Sequence, residues 1–88
     1  MQSAIRKAVA LANGSQTELA RRIGAPVRQG HVWEWLRRGY PPAEQVLPIV
    51  RALHGAITPH ELRPDIYPDP EWMPGDLSTE PPEAIRDA

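Results

Sequence analysis

The sequence contains no cysteine, which excludes a disulfide framework, a thiolate metal site and a cysteine nucleophile and makes a reducing, cytoplasmic setting the expectation. Long apolar runs are missing too. Nothing approaches the roughly 18 residues of a membrane span, and the apolar stretch after Arg6 and Lys7 is too short and too alanine-rich for a secretory signal. No segment alternates convincingly with period two, so strands have no support in the pattern. There is no Gly-rich phosphate loop. The three histidines, His31, His54 and His60, lack metal-ligand spacing. Carboxylate pairs occur only towards the C-terminus, where no rigid scaffold would hold them for acid–base work. The expectation is a protein without metal, cofactor, membrane association or enzymatic activity.

What is present fits one small domain: 88 residues, 41% hydrophobic and 24% charged, with a formal net charge of -1. The near-neutral total conceals a division. Residues 1–63 carry nine bases (Arg6, Lys7, Arg21, Arg22, Arg28, Arg37, Arg38, Arg51, Arg63) against four acids (Glu18, Glu34, Glu44, Glu61). Residues 64–88 carry Arg86 against seven acids: Asp65, Asp69, Glu71, Asp76, Glu80, Glu83 and Asp87. A basic body with an acidic tail points to a polyanionic partner for the body. Six of the eleven prolines lie in that tail, which removes backbone donors and blocks regular helix. The division expected is therefore 1–67 as the folded domain and 68–88 as a largely extended or disordered Pro-rich tail, with Ile66, Tyr67, Trp72 and Met73 available to pin its start.

The body reads as helices separated by clear stops. The first, about Ser3–Ala12, sets Ile5, Ala8, Val9 and Ala12 on one face and ends at Asn13-Gly14. Ser15-Gln16-Thr17-Glu18 has the form of a capping box, with Ser15 accepting from the Glu18 amide and Glu18 reaching back to the Ser15 amide. The second helix then turns Leu19, Ala20 and Ile23 inward and closes at Gly24. A third runs from about Gln29 to Arg38 and stops at Gly39. The fourth opens after Pro41-Pro42 and carries Val46, Leu47, Val50 and Leu53 to Gly55. Pro48 conflicts with a helix running through it, so the spacing predicts a kink near Glu44–Gln45 or a later start. Thr58-Pro59-His60-Glu61 is a second capping box opening a helix of one or two turns that ends before Pro64. The fold class expected is all-α, a compact four-to-five-helix helix-turn-helix domain of lambda-repressor-like type.

The chemistry concentrates on the third helix. At 100° per residue, Val32, Trp35 and Leu36 form one apolar stripe, while Trp33 lies about 160° from Trp35, so both indoles cannot be core. The opposite face carries Gly30, His31, Trp33, Glu34, Arg37 and Arg38. Such a ridge suits the major groove, where arginine bonds guanine bidentately and a glutamate accepts from cytosine. Arg28, Gln29, Gly30, Trp33, Glu34 and Arg37 are therefore the candidate base contacts. Ser15, Gln16 and Thr17, at the start of the second helix, are candidate phosphate contacts with His31 and Arg38, because amides and hydroxyls at a helix N-terminus suit an anion. Arg21 and Arg22 read as solvated. An outward Trp beside arginines is equally the composition of a protein–protein hot spot, so a dimer or partner contact at Trp33 stays open.

Taken together these residues resemble the Cro/YdaS-like helix-turn-helix family of phages and bacteria, which includes Cro-type repressors and antitoxins. The resemblance covers about residues 3–68. It rests on Gln16-Thr17-Glu18-Leu19-Ala20-Arg21-Arg22-Ile23-Gly24, on Gln29-Gly30-His31-Val32-Trp33-Glu34-Trp35-Leu36-Arg37-Arg38-Gly39, and on Glu61-Leu62-Arg63-Pro64-Asp65-Ile66-Tyr67-Pro68. It implies a five-helix body, operator binding through the third helix and homodimeric action. Ala25-Pro26 lengthens the link between the second and third helices relative to the family's tight turn. The function expected is a sequence-specific transcriptional repressor on double-stranded operator DNA. The alternative from another class is an antitoxin-like module that binds a protein partner through the third helix or the acidic tail.

Overall fold

Proline and glycine decide where each helix begins and ends, and the computed structural model, which describes residues 3–77, follows them closely. Five α-helices appear: α1 (Ala4–Leu11), α2 (Gln16–Ile23), α3 (Gln29–Arg38), α4 (Val46–Ala52) and α5 (Pro59–Leu62). Short 3-10 turns precede α4 (Ala43–Gln45) and close the described chain (Gly75–Leu77). No strand occurs among the described residues. The chain is all-helical, and α2 with α3 makes the helix-turn-helix pair. The expected tail beyond Leu77 lies outside the described residues.

Pro48 is the third residue of α4, where its missing N–H would have had no partner inside the helix. The predicted conflict is thus resolved by a later start: the 3-10 turn carries the chain from Pro42 to Gln45, and α4 begins at Val46. At α5 both halves of the capping box form. Thr58 Oγ1 accepts from the Glu61 N–H at 3.1 Å and a Glu61 carboxylate oxygen accepts from the Thr58 N–H at 2.9 Å.

The box expected at α2 forms by half. Ser15 Oγ accepts from the Glu18 N–H at 3.0 Å, but the Ser15 amide donates to the Ala12 carbonyl at 3.2 Å. The Glu18 carboxylate turns instead to Arg21 at 2.6 and 2.9 Å and to Arg22 at 2.8 Å. Three bonds from two cationic guanidiniums one turn along the helix outweigh a single bond from an amide that already has a partner.

Thirteen apolar side chains close the core, and they come from every helix and from the links: Ile5, Ala8 and Ala12; Leu19 and Ala20; Val32 and Trp35; Val46, Ile49, Val50 and Leu53; Ile57; and Leu62. Val9, Ile23, Val27 and Leu36 pack at its edge. Ala20, fully enclosed, keeps α2 close to its neighbours, and α3 packs chiefly on α2. The link between these two helices takes up its extra residues in a turn in which the Val27 N–H donates to the Gly24 carbonyl at 3.0 Å; the Ala25–Pro26 peptide bond is cis.

Packing continues past residue 67. Tyr67 stacks on Trp72 with ring centroids 5.4 Å apart, Pro74 is buried, and Met73 and Leu77 lie against the core. Gly55 lies beside this return of the chain. Its φ of 78° is disfavoured for residues with a Cβ, and such a Cβ would stand 3.4 Å from the Met73 methyl.

Arg63 ties the end of the body together. Its Nε and one terminal nitrogen donate to Asp65 at 3.0 and 2.7 Å, the other terminal nitrogen donates to the Pro41 carbonyl at 2.9 Å, and its guanidinium lies 4.8 Å from the centre of the Tyr40 ring. Lys7 on α1 pairs with Glu61 on α5 at 2.5 Å.

These ion pairs set an acid response. Hydrogen bonds from Arg21, then Arg22, hold the Glu18 carboxyl down at about 2, against an ordinary 4.5. Arg63 likewise lowers Asp65. For Glu61, partial burial pulls upward but the Lys7 ammonium and the Thr58 amide outweigh it, so its pKa also falls. Each group is more acidic folded than unfolded. The stabilisation from Glu18 is therefore complete above about pH 4.5 and is lost as pH falls from there towards 2. Urea midpoints at pH 5 and pH 2 are expected to differ less in Glu18→Gln than in the wild type; equal differences would mean that the arginine pair adds nothing to folding.

Candidate nucleic-acid interface

The two tryptophans of α3 part company as their angular separation requires. Trp35 is 4% exposed and Val32 fully buried, whereas Trp33 is 50% exposed. Leu36 is half-buried beside the core. Gly39, at φ 98°, ends the helix and accepts no further turn. The outward side of α3 therefore presents Gln29, Gly30, His31, Trp33, Glu34, Arg37 and Arg38, all exposed.

The ridge is ordered by its own contacts. The Arg37 guanidinium stands 5.5 Å from the centre of the Trp33 ring, and its Nε is 3.7 Å from the Glu34 carboxylate. Arg38 stacks on Tyr40 at 5.2 Å. At the other end His31 Nδ1 accepts from the Arg28 N–H at 2.9 Å, which leaves Nε2 as the ring's donor and fixes the entry to the helix. Arg28 stands exposed at the N-cap. Gln29 Nε2 donates to Gln16 Oε1 at 2.6 Å, so the first residue of α3 is locked to the first residue of α2. Gln16 is half-buried and Thr17 exposed, while Ser15 Oγ, already accepting from the backbone, keeps its proton to donate.

A groove of about 560 Å³ runs beside the ridge, lined by Arg6, Val9 and Ala10 of α1, Gly14, Gln16 of α2, and Trp33, Leu36 and Arg37 of α3. Arg6, which the sequence offers with Lys7 only as an unassigned distal phosphate contact, lines this groove while Lys7 is paired with Glu61. No local pattern marks Arg6, because its place beside Trp33 and Arg37 depends on how α1 crosses α3. The Gln16–Gln29 bond was equally hidden: both residues were candidates, but as independent contacts.

Charge pairing separates these arginines from the rest. Lys7, Arg21, Arg22 and Arg63 are matched by Glu61, Glu18 and Asp65. Among the described residues Arg6 and Arg28 form no ion pair, Arg38 meets only an aromatic ring, and Arg37 meets its acid at a distance longer than a good hydrogen bond. The positive potential left uncancelled by short ion pairs thus gathers around α3. Among the described residues there is no cluster of three or more metal-ligating side chains, and no helix is long and apolar enough to cross a membrane.

A family model described as Bacterial toxin YdaS matches residues 5–71. The chain belongs to this YdaS family. The matched span takes in all five helices, the whole ridge and the Arg63 clasp, and it ends just before Trp72 and Met73. Neither curated proteins nor solved structures give a significant match. The YdaS assignment agrees with the resemblance read from the sequence and with a small helix-turn-helix protein of Cro-like or toxin–antitoxin type.

Proposed function

We propose that this YdaS-family chain is a sequence-specific DNA-binding regulator that lays α3 in the major groove and acts by occupying an operator, without catalysis. One observation carries the reading: among the described residues Arg6, Arg28, Arg37 and Arg38, which make no short acid pair, lie on α3, at its N-cap or in the groove beside it. Gln29, Gly30, Trp33, Glu34 and Arg37 would meet base edges, with Arg28 at the entry. Arg6, Ser15, Gln16, Thr17, His31 and Arg38 would hold phosphates on either side, helped by the amides at the start of α2. The Gln16–Gln29 bond would couple the phosphate register to the base register. So small a module gains specificity as a homodimer reading two half-sites about one helical turn apart.

Binding to the DNA flanking its own gene, followed by fluorescence anisotropy at several salt concentrations, tests this. A steep fall of affinity with salt and a clear preference over shuffled DNA are expected. A flat salt response, or equal affinity for shuffled DNA, would sink the proposal.

A second reading rests on a separate surface. Along residues 65–72 the exposed Ile66 and Trp72 alternate with the acids Asp65, Asp69 and Glu71, a segment whose chemistry suits a protein partner, as an antitoxin-like role or the family's description as a toxin would require. Ile66→Ala with Trp72→Ala would abolish that partner's binding and spare operator binding.

A further inference from the structure

Deepening the DNA-binding reading, and resting on it, we infer that α3 selects a C5-methylated pyrimidine, thymine in ordinary DNA, through the exposed indole of Trp33 beside the bare backbone of Gly30. Trp33 is the large apolar side chain on a face otherwise made of hydrogen-bonding groups. Half of it stays exposed although Val9, Ala10 and Leu36 line a groove within its reach. Arg37 stacks on the ring at 5.5 Å, which limits its freedom before any partner arrives.

Gly30 lies one turn earlier on the same face. A Cβ placed there would meet nothing within 4 Å, and Gly30 is not among the glycines with positive φ. Neither backbone conformation nor internal packing therefore calls for glycine at this position, and alanine would favour the helix. What glycine supplies is depth: a base edge can come closer to the helix axis there than anywhere else on the ridge. A partner in that notch lies three residues, about 4.5 Å along the helix axis, from Trp33. On the floor of the major groove the apolar group is the C5 methyl of thymine, and 5-methylcytosine carries the same methyl. Hydrogen-bonding edges suit Gln29 and Glu34 on either side of the notch; a methyl suits the indole.

The test starts from an operator selected by the full-length protein out of a random double-stranded pool, with a parallel pool synthesised with 5-methylcytosine. Replacing each thymine of the selected half-site by uracil removes the methyl and nothing else. At one position affinity is expected to fall about three- to tenfold, as the loss of a buried methyl implies. In Trp33→Ala the same replacement is expected to cost less than about twofold. Gly30→Ala should fold at least as stably as the wild type yet bind the selected operator more weakly, since its new methyl fills the notch. Thymine enriched in the first pool, or methylcytosine in the second, at the Trp33-dependent position supports the inference and names the source of the methyl.

Uracil tolerated at every thymine, discrimination that survives Trp33→Ala, or unaltered binding by Gly30→Ala overturns it while leaving DNA binding intact. Failure to enrich any sequence from either pool removes the DNA-binding reading itself.

Discussion

Trp35→Ala is expected to remove most of the domain's stability, while Trp33→Ala, two residues away, leaves it nearly unchanged. The Trp35 indole is 4% exposed and belongs to the core cluster, and its edge lines a cleft with Pro26 and Val27 before α3 and Pro42 and Gln45 after it. Truncating a buried aromatic to alanine costs about 3–5 kcal/mol, the lost transfer free energy plus the cavity left behind. A domain of this size has roughly 4–11 kcal/mol in total, so the variant is at best marginally folded. At about 4–8 °C per kcal/mol its melting temperature falls by some 12 °C or more. Trp33 is 50% exposed, and its removal forfeits edge contacts and the Arg37 stack, an effect of about 1 kcal/mol. Thermal denaturation followed by far-ultraviolet circular dichroism decides the matter. Similar losses at the two positions would mean that α3 is rotated from the orientation described.

That orientation was legible before any coordinates because periodicity is local: indoles two residues apart on one helix cannot share a face. Helix ends were legible for the same reason. Gly14, Gly24 and Gly39 act within a single turn, and the difficulty with Pro48 has a local solution, a helix that starts at Val46.

What the sequence hid is what depends on tertiary crossing or on competition. Arg6 joins the site because α1 passes beside α3. Glu18 abandons the Ser15 amide because two guanidiniums lie within reach. Met73 and Leu77 return to the core through a proline-rich segment whose composition reads as extended, with the Met73 methyl beside Gly55. The Glu61–Pro68 motif, which helps carry the family resemblance, has no cause that its own sequence displays. Its cause is mechanical, since Arg63 joins Asp65, Pro41 and Tyr40, and Glu61 joins Lys7 to the Thr58 cap.

The largest effect on DNA affinity is expected from Arg6→Ala with Arg37→Ala, measured against a control of equal charge change, Arg21→Ala with Arg22→Ala. Both pairs remove two positive charges, so net charge and diffuse attraction change alike. They differ in what the charges already do. Arg21 and Arg22 share Glu18 at 2.6 and 2.8 Å, a cluster whose net charge is +1 in place of two unpaired cations and whose guanidiniums are already engaged. Arg6 and Arg37 both line the groove next to Gln16; Arg6 has no ion pair among the described residues and Arg37 meets Glu34 only at 3.7 Å, which leaves Arg6 free for a phosphate and Arg37 for a base edge. Each lost phosphate contact lowers the slope of log affinity against log salt by about 0.9. Arg6→Ala removes a phosphate contact and Arg37→Ala a base contact worth about 1–3 kcal/mol, so the double variant should lose about one from that slope and roughly a hundredfold in affinity at low salt. Removing Arg21 and Arg22 should leave the slope unchanged and the affinity within about threefold. If the two double variants weaken binding equally, the protein responds to total charge, and the arrangement of arginines around α3 has no part in where DNA binds.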